Sequence, residues 1–194
     1  TIGHSFLAVY ADDFIAGFQH KDDAENYYAL LKERLRKFNL ELEESKSRLI
    51  EFGRYAEANS KRKSGRKPET FNFLGFTFYC GKGKKTGNFC VKLRTNSKKF
   101  SQKLKATKDW LYQNNDMPVK ELIARLNKKL VGHYRYYGVS HNMNKLSSFL
   151  HFVQRYLFKV LNRRSHKKSY TWDGYIDMLK VYPLAKPKIY VKLF

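Results

Sequence analysis

Two adjacent carboxylates, Asp12 and Asp13, interrupt the apolar run LAVYADDFIAGF at residues 7–18. Removing water from a carboxylate is costly, so a buried pair of this kind needs a positive partner. Carboxylate oxygens projecting from a rigid turn suit Mg²⁺. Nucleotidyl transfer uses two such ions, one to activate the attacking hydroxyl and one to hold the leaving phosphates. The plain alternative is an Asp-rich turn with no ligand, since turns favour Asp.

A tight β-hairpin would position the pair, with FLAVYA (6–11) and FIAGF (14–18) as its strands. Ala24, Tyr28, Leu31, Leu35 and Phe38 then recur at helical steps behind Asp22 and Asp23, which a helix dipole favours at that end. LELEESKSRLIEF (40–52) reads as extended, and ANSKRKSGRKPET (58–70) as a loop with Gly65 and Pro68 as breakers. FNFLGFTFYC (71–80) reads as one strand, turned back by GKGKKTGN (81–88) into FCVKL (89–93). From about residue 96 the period is helical. Leu122, Ile123, Leu126, Leu130, Tyr134 and Tyr137 form one stripe; Leu146, Phe149, Val153, Tyr156 and Val160 form another. TWDGYIDMLKVY (171–182) is a shorter helix with Thr171 as N-cap, stopped by PLAKPK (183–188). The expected class is α+β, with hairpins and one helix over 1–95 and a basic helical bundle over 96–194.

The chain has 194 residues and a formal charge of +22, unevenly spread. Residues 1–60 hold eight Lys/Arg against eleven Asp/Glu; residues 61–194 hold thirty-one against six. Such asymmetry is the footprint of a polyanion-binding protein. Acidic membrane is the competing partner, but the cations are spread over several elements instead of one amphipathic helix, which favours nucleic acid. No run is long enough to span a bilayer, and no signal peptide opens the chain. Cys80 and Cys90 are too few for a disulfide framework or a zinc site, and reduced thiols fit a cytoplasmic compartment. The six His have no ligand spacing.

VYADDFIAGF resembles motif C of reverse transcriptases, in particular those of bacterial group II introns. In the same order, LELEESKSRLIEF resembles motif D, FNFLGFTF resembles motif E, and LNKKLVGHYRYYGVSHN (126–142) with RRSHKKSYTWDGYIDML (163–179) resembles the thumb, or maturase, domain. The resemblance implies an RNA-directed DNA polymerase in which Asp12 and Asp13 ligate two Mg²⁺ ions. It puts Tyr10 and Ala11 beneath the incoming dNTP and primer end, although both also suit plain strand packing. It puts Lys46 near the triphosphate, where a solvated lysine is the alternative. Leu74 and Gly75 would support the DNA primer end or simply pack, a strand glycine marking a close backbone approach either way.

For RNA contact the candidates are Lys128, Lys129, Arg135, Tyr136, Arg155, Lys159, Arg163, Arg164, Lys167 and Lys168. Tyr134 and Tyr137 lie on the apolar stripe and are expected in the core. The implied partners are intron RNA and a template–primer duplex, with no membrane and no defined oligomeric state. The family's site also needs a third carboxylate from an upstream strand, and this sequence opens nine residues before Tyr10 without one. The chain is therefore expected to be the C-terminal half of a polymerase, silent and poorly soluble alone. The rival expectation is a non-catalytic, maturase-like splicing cofactor that only binds RNA.

Overall fold

The computed structural model describes residues 1–83, 86–164 and 169–193. Its contacts divide the chain into two compact units, Thr1–Glu69 and Thr70–Phe194. The architecture is α+β, with a two-stranded and a three-stranded antiparallel sheet and six helices among the described residues. No described helix is long and apolar enough to cross a membrane.

In the first unit β1 (Ser5–Tyr10) and β2 (Asp13–Phe18) pair with Tyr10 opposite Asp13 and Phe6 opposite Gly17. The two-residue connection is Ala11-Asp12, with Ala11 at φ 49°. Positive φ at the first loop residue matches the twist of the flanking strands, but costs an L-residue about 1–2 kcal/mol. A Cβ at Gly17 would overlap the Phe6 ring, so the glycine gives that ring its seat across the strands. Helix α1 (Lys21–Arg36) follows, and Phe18 meets Tyr27 at 5.0 Å between ring centroids. The Asp23 carboxylate accepts from the backbone N–H of Ile2 (3.0 Å) and of Gly3 (3.2 Å), tying the chain start to the helix.

Three expectations fail. Residues 40–52 form no strand; the chain turns at 44–46, where the backbone N–H groups of Lys46 and Ser47 both bond the Glu43 carbonyl at 3.0 Å. The expected loop at 58–70 is largely helix α2 (Ala56–Ser64). A Glu57–Lys61 pair at 3.0 Å and basic residues in the last turn favour this helix. Gly65, at φ 66°, ends it as a left-handed cap. The single strand expected at 71–80 is instead a hairpin of β3 (Phe71–Phe73) and β4 (Phe76–Lys82). Leu74 (φ 48°) and Gly75 (φ 76°) form its connection, and positive φ at both positions is the usual geometry for a two-residue hairpin.

Strand β5 (Phe89–Thr95) completes the second sheet in the order β3-β4-β5. Cys80 lies opposite Val91 and Cys90 opposite Gly81, so the thiols point to opposite faces and the two form no disulfide with each other. Helices α3 (Ser97–Gln113), α4 (Val119–Tyr137), α5 (Met143–Asn162) and α6 (Trp172–Val181) share this unit with the sheet. Asn96 caps α3 by accepting from Lys99 N–H at 3.1 Å, and Thr171 caps α6 by accepting from Gly174 N–H at 3.2 Å. All six residues of the α4 stripe are buried. On α5 the core positions are Leu146, Phe149, Val153, Leu157, Val160 and Leu161. Tyr156 sits half-buried on the shoulder, because the helical period carries the stripe through Leu157.

The hydrophobic core lies in the second unit; among described residues of the first unit only Ala56 is buried. Phe6, Leu7, Val9 and Tyr10 of β1 are all more than half exposed. Behind Tyr182 the chain returns along α4, where Asn127 accepts from Ala185 N–H (2.8 Å) and donates to the Pro183 carbonyl (2.9 Å). A Cβ on Gly138 would overlap the Tyr134 carbonyl and come within 2.6 Å of the Lys188 carbonyl, so glycine permits the return.

Asn142 is fully buried and joins the sheet to the helices. Its side-chain oxygen accepts from Thr95 N–H, and its amide donates to Thr95 Oγ1 and to the Tyr137 carbonyl, each at 2.8 Å. Replacing it with Leu leaves the buried Thr95 N–H unpaired. Asn142→Leu is therefore expected to cost about 2–4 kcal/mol in urea unfolding, followed by helical circular dichroism.

Candidate functional site

The acidic turn is an open feature. Asp12 occupies the hairpin connection and Asp13 begins β2, and both side chains are exposed. The expectation that burial would force a positive partner on them does not apply, because water reaches both. Among the described residues neither carboxylate is in an ion pair or a side-chain hydrogen bond, so their oxygens are unspent. Tyr10 lies directly across from Asp13 and is 63% exposed, so it is not plain core packing. Ala11 is exposed in its left-handed conformation. Lys46 lies exposed in the 44–46 turn and pairs with neither Asp. Its charge acts on Glu43, whose carboxyl is held below its usual range first by the Ser45 hydroxyl at 2.6 Å, then by the Ser45 N–H, then by Lys46.

Donor chemistry fits a hard divalent cation in part. Asp12 and Asp13 supply adjacent carboxylate oxygens from a short connection, as Mg²⁺ prefers. Among the described residues no group of three or more His, Cys, Asp or Glu side chains is assembled, so this pair would be only part of a ligand set.

In the second unit the Leu74–Gly75 connection is approached by protein groups. Tyr136 donates its hydroxyl to the Leu74 carbonyl at 3.0 Å, and a Cβ on Gly75 would lie 3.1 Å from the Tyr137 hydroxyl. Tyr136 stacks on Phe76 at 6.0 Å while remaining 56% exposed, so its ring offers a free surface beside the turn. Tyr134 and Tyr137 are buried, as their stripe position predicts.

The basic candidates fall into groups. Lys128 and Arg135 flank a shallow depression of about 410 Å³ on the outer side of α4, floored by Ala124, Val131 and Gly132. Lys129 is set apart, its Nζ 4.9 Å over the Trp110 ring of α3. On α5, Arg155 and Lys159 are exposed, and Arg163 lies 5.1 Å over the Tyr112 ring. Arg164 is half-buried with Nε and Nη2 lacking partners among the described residues; burial pushes its pKa down, opposed by Tyr170 and Asp116. Lys167 and Lys168 lie outside the described residues.

Comparison with family models gives two matches in tandem. The model described as reverse transcriptase (RNA-dependent DNA polymerase) matches residues 2–78, and that for the group II intron maturase-specific domain matches residues 97–175. The chain belongs to the group II intron reverse transcriptase/maturase family. Neither the curated proteins nor the solved structures provide a match. The acidic turn falls in the first matched segment, and the basic α4 and α5 fall in the second.

Sequence reasoning passed over Lys108 and Tyr112 and placed Tyr156 only on the apolar stripe; the α3–α5 packing brings the three together. The available signal was a lysine four residues before a tyrosine on α3, facing a basic helix shoulder. It also read His133 only as part of the basic and aromatic run GHYRYYG (132–138), outside the chosen RNA-contact candidates. That imidazole stacks on Phe149 at 3.9 Å, and its Nε2 is buried without a described partner. Burial, aided by the Lys103 charge, lowers its pKa from 6.5 to about 4. The unfolded chain therefore binds a proton that the folded chain refuses between those values. His133 supports folding fully above pH about 6.5, and that contribution is lost as the pH falls toward 4. We expect an acid-side loss on the order of 1–2 kcal/mol, allowing for the ring's partial exposure. His133→Phe should flatten that part of the stability–pH curve measured by urea unfolding.

Proposed function

We propose that this chain forms part of an RNA-directed DNA polymerase that also serves as an intron maturase. The observation that carries this reading is the pairing of two unspent carboxylates on a hairpin connection with a basic helical unit of the maturase type. Functionally, residues 1–95 act as palm and residues 96–194 as thumb and RNA-binding domain, although the hairpins from 71 to 95 pack within the second compact unit.

Asp12 and Asp13 would hold Mg²⁺, which when bound lowers the pKa of the primer hydroxyl and offsets charge on the leaving pyrophosphate. A third carboxylate would come from elsewhere in the complete polymerase. Tyr10, across from Asp13, and Ala11 would floor the primer end. Lys46 would offer a cation to the triphosphate, and the Leu74–Gly75 connection, buttressed by Tyr136, would bear on the DNA primer. Lys128 and Arg135 would take RNA phosphates along α4, and Arg155, Lys159, Arg163 and Arg164 along α5. The exposed apolar side chains of β1 suit a palm sheet continued by further strands.

A second reading is favoured by one observation, that no described residue completes a three-carboxylate cluster at the turn. It is an RNA-binding splicing cofactor without polymerase activity. Primer extension by the complete protein separates the two. Asp12→Asn is expected to reduce extension by more than about 100-fold, since outer-shell metal partners alone cost 10–100-fold. RNA affinity should stay unchanged. A wild-type protein that promotes splicing but extends no primer would establish the cofactor reading instead.

A further inference from the structure

Along the seam between α3 and α5, cations lie over aromatic rings and no described acid answers them. The helices run in the same direction: Phe100 meets Phe149 near their starts at 5.8 Å, and Arg163 reaches Tyr112 near their ends. Lys108 Nζ sits 5.7 Å from the Tyr156 ring centroid and 5.8 Å from that of Tyr112, and the Arg163 guanidinium lies 5.1 Å from Tyr112. Lys105 and Lys159, one turn earlier on each helix, are exposed. The ion pairs of this unit among the described residues, Arg125–Glu121 and Lys180–Asp177, involve none of these cations. Asp109, next to Lys108 in sequence, makes no ion pair with them among the described residues.

Both tyrosines are half-buried, and a cation over such a ring is held by less than a charge-assisted bond to a phosphate supplies. Lys108 and Arg163 are therefore poised to leave the rings when phosphates arrive, and their departure uncovers ring surface. Tyr112 and Tyr156 each pack against the core, which fixes their planes in advance. Rings alternating with cations that no described acid pairs match a strand of bases and phosphates. A duplex keeps its base faces stacked internally and offers none to such rings, whereas unpaired RNA does.

We infer that the α3–α5 seam binds unpaired RNA, with bases on Tyr112 and Tyr156 and phosphates on Lys108 and Arg163. This rests on the RNA-binding reading above and specifies the form of RNA that this face takes.

The test is fluorescence anisotropy of the whole chain with a labelled single-stranded oligouridine and with a blunt RNA duplex of equal length. Lys108→Gln/Arg163→Gln should weaken oligouridine binding at least about ten-fold and flatten its salt dependence by roughly one unit of slope. Lys186→Gln/Lys192→Gln, which removes the same charge from the C-terminal segment, should weaken it no more than about three-fold. Tyr112→Leu should cost at least about five-fold on oligouridine and leave duplex binding unchanged, while Tyr112→Phe binds as wild type. Equal losses from the two double variants would overturn the seam and leave the RNA reading standing. Duplex binding as tight as oligouridine binding, and equally weakened by the seam variants, would overturn the preference for unpaired RNA. Wild type binding neither probe would overturn the RNA reading itself.

Discussion

The buried amide of Asn142 is the joint on which the larger unit depends. It stands where three segments end or begin: the last residue of β5, the last turn of α4 and the start of α5. A single side chain with one acceptor and two donor hydrogens answers the Thr95 N–H, the Thr95 hydroxyl and the Tyr137 carbonyl, which also accepts from Val139 N–H at 2.9 Å. An apolar residue would fill the volume and leave the Thr95 N–H unpaired in the core, a larger penalty than the bond is a gain. The β3–β5 sheet is therefore tied to the helices of the same unit, and the Leu74–Gly75 connection inherits its position from α4 through Tyr136 and Tyr137.

The two units present opposite electrostatic problems. In the first, Asp12 and Asp13 sit in water on a hairpin that leaves its apolar side chains exposed, and little buried packing supports them. In the second, cations outnumber acids heavily and lie over aromatic rings or along exposed helix faces, held by a core of Leu, Val and Tyr. A positively charged surface that is not neutralised internally costs folding energy through self-repulsion, and it suits a polyanionic partner. His133 follows the same logic, since a neutral imidazole on Phe149 adds no further charge to that field.

Much of this was legible in the residues. The YADD hairpin, the α4 stripe and the Thr171 cap follow from local periodicity and capping chemistry, which act over a few residues. What failed was decided by less local terms. FNFLGFTF looked like one strand because apolar content does not mark a turn whose second residue alone is glycine, and Leu74 accepts a left-handed conformation there under the buttress of Tyr136. ANSKRKSG looked like a loop because its charge hid a helix held by Glu57–Lys61 and Glu51–Lys63 pairs. The premise that Asp12 and Asp13 were buried came from their apolar flanks, yet β1 itself is exposed. Asn142 carried no sequence signal, since a buried amide and a solvated one have the same letter.

The claim that hairpins and helices form one block is tested most directly by hydrogen exchange at the Thr95 amide. With Asn142 as the joint, this amide should exchange only through global unfolding, with the same free energy as the Leu126 and Leu130 amides in the middle of α4. Exchange of Thr95 at the rate of an exposed loop, while those α4 amides stay protected, would show that the sheet opens independently and would contradict the account.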